Sequence, residues 1–500
     1  MVATRQDIQG QIAALLGDVK RDIDVARARR IFCNRSLRMA NIELIGFDMD
    51  YTLALYHQDK LERLSIDLTL KKLIENHGYP PEIQHLNYDS TLAVRGVVID
   101  RQLGHVFKMD RHGHVGRVFH GMTQLSKDDR TVAYRRQRIQ MSSPRYAWID
   151  TLFGLPEAVM YMTLVAHFEK SGGLVSYKDL FDDIRASIDE AHRDDTLKTV
   201  IKAEMPSFVL KDPKLAETLH KLRSAGKKIF LLTNSLYDYS NAVMSYLLDG
   251  ERNAYPSWRN YFDAVIVGAS KPAFFTEKHP FLVVDPATNQ TLDQRVRQLS
   301  RDKIYQGGNI FDFENMTNVR GDRVLYVGDH IYGDMIRLKK AHTWRTAMVV
   351  QELDLENRVS ERLGEQIRDL DLLDRRQRNL ESEIDYQVTM LKQLQRVQED
   401  AEPALKTELE GVVRQAKQAL DSLRTRARTI EDEVNALDTT IDAAYNPFWG
   451  PSFREGHETS RFGSQVSEYA DLYTSRVSNF LSYSPLRYFR AARQQMPHEL

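Results

Sequence analysis

The sequence predicts an α/β fold built on a doubly wound parallel sheet, interrupted by a large insertion and followed by a C-terminal helical hairpin. Three observations lead there: short apolar runs alternate with helical patterns, a long stretch separates the first run from the rest, and a charged segment with heptad-like apolar spacing follows the last.

Residues 42–47 are mostly apolar and end at Asp48, as a buried parallel strand does. Residues 228–232 form a second run, preceded by a helical pattern over 213–225 that stops at Gly226. Residues 262–267 and 324–327 give two more. Each run ends in polar residues: Asp48-Met49-Asp50, Thr233-Asn234-Ser235, Gly268-Ala269-Ser270-Lys271 and Gly328-Asp329-His330. In a doubly wound sheet ligands bind beyond the carboxyl ends of the strands, so these four ends are expected to converge.

The core is expected to comprise residues 42–52 and 206–350. Residues 53–205 are too long for a simple crossover and read as a cap that supplies substrate specificity; residues 1–41 read as a helical segment. Over 351–443, apolar residues such as Val359, Leu363, Ile367, Leu370, Leu373 and Leu380 recur at heptad-like spacing, predicting a coiled coil. The break Glu399-Asp400-Ala401-Glu402-Pro403 folds it into a hairpin. Residues 444–500 are rich in Phe, Tyr and Trp, and are expected to pack on the core or at an oligomer interface.

A chain of 500 residues exceeds the size at which one core keeps growing. Lys+Arg 69 against Asp+Glu 70 leaves a charge of -1, so no overall charge commits the chain to nucleic acid or an anionic membrane. The single Cys33 excludes an internal disulfide or a cysteine zinc site. With no apolar stretch long enough to span a bilayer and no signal-peptide core at the start, the expected address is the cytoplasm.

Asp48 and Asp50 offer a nucleophile and an acid/base on one loop. A carboxylate attacking a phosphate dianion meets repulsion of roughly 4 kcal/mol per charge pair at ~4 Å and intermediate dielectric, so positive charge is required. Mg²⁺ suits Asp48 with Asp329, together with the main-chain carbonyl of Asp50. Lys271 can supply a second cation, Thr233 and neighbouring N–H groups can donate to phosphate, and Asp334 can orient Lys271 or a metal-bound water. Each alone also has a structural reading, as a turn, a helix cap or a solvated lysine. Four such groups at four strand ends point to phosphoryl transfer.

This pattern resembles the haloacid dehalogenase superfamily, and its wording is similar to the cytosolic purine 5'-nucleotidases. The phrases are Gly46-Phe47-Asp48-Met49-Asp50-Tyr51-Thr52-Leu53-Ala54, Thr151-Leu152-Phe153-Gly154-Leu155-Pro156-Glu157, Tyr326-Val327-Gly328-Asp329-His330-Ile331-Tyr332-Gly333-Asp334 and, in the tail, Asn446-Pro447-Phe448-Trp449-Gly450 and Tyr469-Ala470-Asp471-Leu472-Tyr473. The resemblance implies Asp48 as nucleophile, Asp50 as acid/base, Asp329 on Mg²⁺, and Thr233, Asn234, Lys198 and Lys271 at the phosphate. It implies that Arg185, Asp189, Phe153 and His192 hold a purine base, where Arg185 and Asp189 would otherwise read as an exposed i,i+4 ion pair. The expected reaction is hydrolysis of purine nucleoside 5'-monophosphates, IMP and GMP preferred, with phosphotransfer to a second nucleoside as a further capacity. The expected assembly is a homo-oligomer, dimer or tetramer, with no nucleic acid or membrane partner. The chain departs from the pattern at Asp150 and Gly154, where asparagines are expected, and at Arg193, where tyrosine is. The competing readings are a phosphatase for another small phosphoester and a coiled-coil scaffold with an idle core.

Overall fold

The computed structural model describes residues 25–500 except 136–138, 141, 174, 175, 293, 295, 495 and 500. The helix expected within residues 1–41 falls outside the described residues for 1–24; beyond them the chain forms the short strands Phe32–Cys33 and Leu37–Arg38. There are two compact units, one formed by residues up to Asp354 with Ser452–Leu500, the other by Leu355–Pro451.

The first unit is an α/β domain around a ten-stranded sheet among the described residues. We label its strands β1 (Phe32–Cys33), β2 (Leu44–Phe47), β3 (Lys228–Leu232), β4 (Ala264–Val267), β5 (Phe281–Val284), β6 (Thr291–Leu292), β7 (Ile304–Gly307), β8 (Val324–Gly328), β9 (Arg345–Val349) and β10 (Leu472–Thr474). Their spatial order is β1-β10-β9-β8-β2-β3-β4-β7-β5-β6. From β10 to β7 all neighbours run parallel, and the antiparallel pairs lie at the two edges. The central strands are apolar on both faces because both faces are covered: β2, β4 and β8 are buried at every residue.

Register sets the site. Phe47 lies opposite Val327 on one side and Leu231 on the other, while Leu232 lies opposite Ile266. The carboxyl ends of β8, β2, β3 and β4 therefore finish level and side by side. Strand β2 starts at Leu44, two residues later than its apolar run: Met39–Asn41 form a 3₁₀ turn whose last bond runs from the Ile42 N–H to Met39 O at 3.1 Å.

Beneath the sheet, Phe230, Phe274, Phe275, Phe313, Tyr326 and Trp344 form one buried aromatic cluster. Phe230 and Phe313 pack with their rings tilted, 4.6 Å between centroids. Gly46 makes this possible, since a Cβ there would fall 2.2 Å from Cζ of Phe230.

Eight helices are labelled α1 (Gln58–His77), α2 (Leu155–Ser171), α3 (Tyr177–Arg193), α4 (Thr196–Ala203), α5 (Leu215–Ser224), α6 (Tyr237–Leu248), α7 (Gly364–Asp400) and α8 (Pro403–Tyr445). The insertion after β2 contains α1 to α4 and a five-stranded antiparallel sheet, ordered Thr123–Gln124, Val115–His120, His105–Met109, Val98–Asp100, Tyr146–Trp148. Helix α3 starts at Ser176, whose side chain accepts from Asp179 N–H, and it buries Leu180, Phe181, Ile184, Ile188 and Ala191 at helical spacing.

In the second unit α7 and α8 pack along an apolar seam that includes Leu391, Val413, Ala416 and Leu420. Pro403 opens α8 at a position where its missing N–H costs nothing. No helix of the described residues is long and apolar enough to cross a membrane.

Gly46→Ala should lower stability by about 1–3 kcal/mol through overpacking against Phe230, read as a lower melting temperature. Adding Phe230→Leu should recover part of the loss. An unchanged melting temperature for Gly46→Ala would refute the close approach.

Candidate active site

The turn after β2 aims two carboxylates into one cavity. Met49 O accepts the N–H groups of Thr52 (3.2 Å), Leu53 (2.9 Å) and Ala54 (2.9 Å), closing the chain on itself. Tyr51 adopts φ 55, a left-handed conformation costly for a bulky residue. Packing holds it there: Tyr51 is buried, with its ring 4.6 Å from Phe153 and 5.0 Å from Tyr56, edge on.

Asp50 accepts from Tyr56 Oη at 2.5 Å and from Ser235 Oγ at 2.7 Å, one donor on each carboxylate oxygen. Tyr56 in turn lies 3.0 Å from Tyr239 Oη on α6. Burial raises Asp50 above its usual range, and the two hydroxyl donors oppose the rise.

Lys271 lies at the centre of the strand ends. Its Nζ is 2.9 Å from Asp48, 2.7 Å from Asp334 and 2.8 Å from Tyr326 Oη, all in the interior. Burial alone would lower this lysine, but Asp334 and Asp48 push it up to about 12. Asn234 holds its backbone from both sides, accepting Lys271 N–H at 2.6 Å and donating to Lys271 O at 3.0 Å; the peptide bond to Pro272 is cis. Thr233 is fully buried, and its Oγ1 accepts Ser235 N–H at 3.1 Å.

Asp334 sits on a π-turn, Ile331–Ile336, immediately after the β8 end. One oxygen takes Lys271, and the other accepts His330 N–H at 3.2 Å. Gly328 leaves room for this side chain, since a Cβ there would lie 2.5 Å from its Oδ2. The spacing Gly-Asp-x₄-Asp thus has a steric reason.

Asp48, Asp329 and Asp334 each place a carboxylate oxygen within 4.8 Å of the others. Burial, with Asp334 beside it, raises Asp329 to about 7, and burial raises Asp48 well above the carboxylate range despite Lys271. Arg95, itself buried, donates to Asp329 O at 3.0 Å and forms a two-pronged pair with Glu352. Asp334 is committed to Lys271 and the His330 amide, which leaves Asp48, sharing that lysine, and Asp329 as the hard oxygen donors that face the cavity. That donor set suits a divalent cation.

The cavity over these groups measures about 330 Å³ and is lined by Asp48, Asp50, Asp329, Thr233, Asn234 and Lys198 among others. Its upper wall comes from the insertion, with Thr151, Phe153, His192 and Leu197. Lys198 Nζ lies 3.3 Å from Asp195 and 5.9 Å from the Tyr239 ring. Phe153 and His192 meet edge to face at 5.9 Å, and burial followed by Lys198 keeps His192 below its usual value. Burial would likewise lower His330, yet Asp150, 3.4 Å from Nε2, and then Asp334 and Asp329 raise it to about 9.

The expected residues thus converge, with three differences. Lys271 touches Asp48 from behind rather than lining the cavity. The Asn234 side chain is spent on the Lys271 backbone, so only its main chain can face a phosphate. Arg185 and Asp189 do not line the cavity: Arg185 pairs with the buried Glu157 at 2.6 Å, and Asp189 is exposed. Tyr56, Tyr239, Arg95 and Glu157 went unnoticed in the sequence as site residues because their partners are remote or carry no spacing signal. Ser235 could have been found, since it completes the phrase at the end of β3.

The 5' nucleotidase family model matches residues 31–500. A 5'-nucleotidase domain-containing protein of Dictyostelium discoideum is 29% identical over 478 residues, 94% of this chain and 74% of that protein. The 5'-nucleotidase domain-containing protein 2 of Rattus norvegicus is 30% identical over 486 residues, 94% of this chain and 80% of that protein. Among solved structures, L-2-haloacid dehalogenase from Xanthobacter autotrophicus aligns with 62% of this chain and 78% of its own at 13% identity and a TM-score of 0.21.

Asp329 binds its proton up to about pH 7 in the folded chain, against an ordinary 3.8. Between those values the folded state holds a proton that the unfolded state lacks, so the contribution to stability is complete below 3.8 and is lost as pH rises through 7. Metal-free protein should therefore melt at a lower temperature at about pH 8 than at about pH 5, with a slope of up to about 1.4 kcal/mol per unit from this group. Asp329→Asn should flatten the slope, and Mg²⁺ should restore the wild type at the higher pH but not the variant. A wild-type melting temperature that climbs over this interval would overturn the electrostatic picture.

Proposed function

The chain belongs to the 5' nucleotidase family, and from that premise we propose that it releases phosphate from purine nucleoside 5'-monophosphates through an aspartyl phosphate on Asp48. The observation that carries this reading is the pairing of two unlike carboxylates at one strand end. Asp48 lies against the Lys271 ammonium, while Asp50 is gripped by two hydroxyls and raised by burial.

An Asp48 oxygen attacks phosphorus as the bond to the nucleoside O5' breaks. Asp50 passes its proton to that departing oxygen. Water then attacks the acyl phosphate, Asp50 takes the water's proton, and Asp48 is regenerated as phosphate leaves. Lys271 holds Asp48 in place and offsets charge near the phosphoryl oxygens; Thr233, the main-chain N–H groups beyond it and Lys198 donate to them. Asp48, Asp329 and the main-chain carbonyl of Asp50 would hold Mg²⁺, which when bound supplies the positive charge that lets two anions meet. A nucleoside entering in place of water would accept the phosphoryl group instead. The family resemblance also motivates our expectation of a cytoplasmic homo-oligomer, dimer or tetramer.

We assign the base to the wall formed by Phe153 and His192, and the preference for IMP and GMP to Arg185 and Asp189. A guanidinium matches the O6 and N7 acceptors of a 6-oxopurine, and a carboxylate accepts N1–H; AMP reverses both. Supporting this, Arg185, Asp189 and His192 follow one another on α3 at spacings of four and three, with His192 at the cavity. Arg185 Nε is buried without a hydrogen-bond partner among the described residues.

Asp48→Asn should nearly abolish phosphate release, and Asp50→Asn should lower turnover by about 10²–10⁴-fold while still permitting slow labelling by substrate phosphate. Near-normal steady-state rates in either variant would remove the mechanism.

For the base, kcat/KM for IMP should exceed that for AMP, toward the roughly 10⁴-fold or more that hydrogen-bonding sites reach, with the margin reduced by the departures at Asp150 and Gly154. Arg185→Ala and Asp189→Ala should each depress IMP turnover and narrow the gap. Equal rates on IMP and AMP in the wild type would show that this pair does not read the base.

A further inference from the structure

Two segments far apart in sequence share one composition. Residues 25–42 carry five arginines and residues 472–498 carry four, and neither segment contains a lysine, an aspartate or a glutamate. The fold brings them together. Leu37–Arg38 pairs antiparallel with Tyr488–Phe489, while Met39 N–H donates to Arg487 O at 2.8 Å and Ala491 N–H to Ser36 Oγ at 3.1 Å. Upstream, Thr474 Oγ1 donates to Arg30 O at 3.0 Å, and Ile31 N–H donates at 3.1 Å to the hydroxyl of Tyr483, whose ring lies 5.3 Å from that of Phe489. The overall charge of -1 conceals this concentration, so the expectation of no nucleic-acid partner does not extend to this face.

Alternation along the paired strands decides what meets solvent. Leu37 and Phe489 are buried, and their neighbours Arg38 and Tyr488 are exposed. Arg38 and Arg490 hold their guanidinium groups against the Tyr488 ring, 4.6 and 4.8 Å from its centroid. Such packing orients a guanidinium and leaves its N–H fork to bond elsewhere. Local carboxylates take only part of the charge. Arg476 pairs with Asp354 and Arg493 with Glu499, and Arg35 lies 3.9 Å from Asp471, which Lys339 and Arg345 already hold. Arg27, Arg29, Arg30, Arg38 and Arg490 are exposed and have no carboxylate partner among the described residues; the Arg30 Nε donates to a neutral acceptor, Val25 O, at 2.9 Å.

We propose that this face binds a single-stranded nucleic acid, holding its phosphates without reading its sequence. Guanidinium forks bond phosphate oxygens in pairs, and their flat faces stack on unpaired bases; lysine, absent from both segments, does neither. A membrane surface fits less well. The exposed large apolar side chains of the two segments are Leu486, Tyr488 and Met496 among the described residues, and the helical pieces there are 3₁₀ turns of at most six residues, too short to present an apolar face to a bilayer. The surface is independent of the catalytic reading, since no residue lining the catalytic cavity belongs to either segment.

The test is fluorescence anisotropy of a labelled single-stranded oligonucleotide of mixed sequence with a 5'-hydroxyl end, titrated with the full-length protein between about 50 and 200 mM salt. Five arginines each neutralising one phosphate give an expected slope of log affinity against log salt of roughly −3.5. Arg27→Gln/Arg29→Gln/Arg30→Gln should weaken binding about tenfold or more and reduce the slope by about 2, and Arg38→Gln/Arg490→Gln should reduce it by about 1.4. If the second variant melts early, the first, at exposed positions beyond the paired strands, carries the test. Both should leave phosphate release from IMP unchanged. The control Arg426→Gln/Arg428→Gln on α8 should alter neither affinity nor slope. The proposal falls if no saturable binding is seen at the lowest salt, if excess IMP displaces the oligonucleotide, or if the control weakens binding equally. It also falls if duplex of the same sequence, polyglutamate of equal charge or vesicles containing phosphatidylserine bind as tightly as the single strand.

Discussion

A lysine ammonium buried among two carboxylates and a phenol is the contact on which the rest of the site depends. Lys271 follows β4, Asp48 ends β2, and Asp334 and Tyr326 belong to β8 and its π-turn, so one Nζ ties three strand ends together. Such a group is stable only if every partner is in place, because removing one side of a buried pair costs about 3–5 kcal/mol. The sheet register is what makes it possible. Had β8 paired with β2 one residue out of step, its side chains would have switched faces and Tyr326 would have left the lysine.

The same lysine explains the electrostatics around it. It brings one positive charge to a pocket with four aspartates, Asp48, Asp50, Asp329 and Asp334, so the surplus is spread by other means. Asp50 is solvated by two hydroxyl donors, Asp334 shares the lysine with Asp48 and also accepts the His330 amide, and Arg95 binds the carbonyl of Asp329 while Glu352 absorbs much of its charge. Asp48, which shares that lysine, and Asp329 are the carboxylates left facing the cavity together. Tyr56 and Ser235 come from outside the acidic motif, yet they separate the chemistry of Asp50 from that of Asp48 two residues earlier.

The sheet centre and its four loaded strand ends were legible because their signals are local. An apolar run followed by Asp, Thr, Lys or Gly-Asp identifies both a strand and the residue it presents, and the strands fell at the expected runs. The partners were illegible for the opposite reason. Tyr56 reaches Asp50 only because the Tyr51 turn doubles the chain back, and Glu157 reaches Arg185 only because α2 and α3 pack together. Strand β10, next to the edge, carries three residues, Leu472–Thr474, inside an aromatic-rich tail, and so brief an element has no periodicity to detect. It is specified by its neighbours, through pairing with β9 on one side and β1 on the other.

Core and insertion divide the chemistry by what each fixes. Charged groups on the core side are tied by contacts within the sheet and its loops, with Tyr56, Arg95 and Asp150 of the insertion added at Asp50, Asp329 and His330. On the insertion side, Phe153, His192 and Lys198 meet the core through the Tyr51 and Tyr239 rings, which are apolar or weakly directional contacts. A wall held this way can accommodate different bases without disturbing the reacting carboxylates. Arg185 marks the limit of that freedom. Its ion pair with Glu157 holds the guanidinium against α2, and Glu157, raised by burial to about 7 even with Arg185 beside it, gains charge as pH rises through that value. A more firmly ionised Glu157 binds the arginine more tightly, so the substitution of a base acceptor for part of that pair becomes harder at higher pH. The discrimination assigned to Arg185 is therefore coupled to a carboxyl group that never needs to touch the substrate.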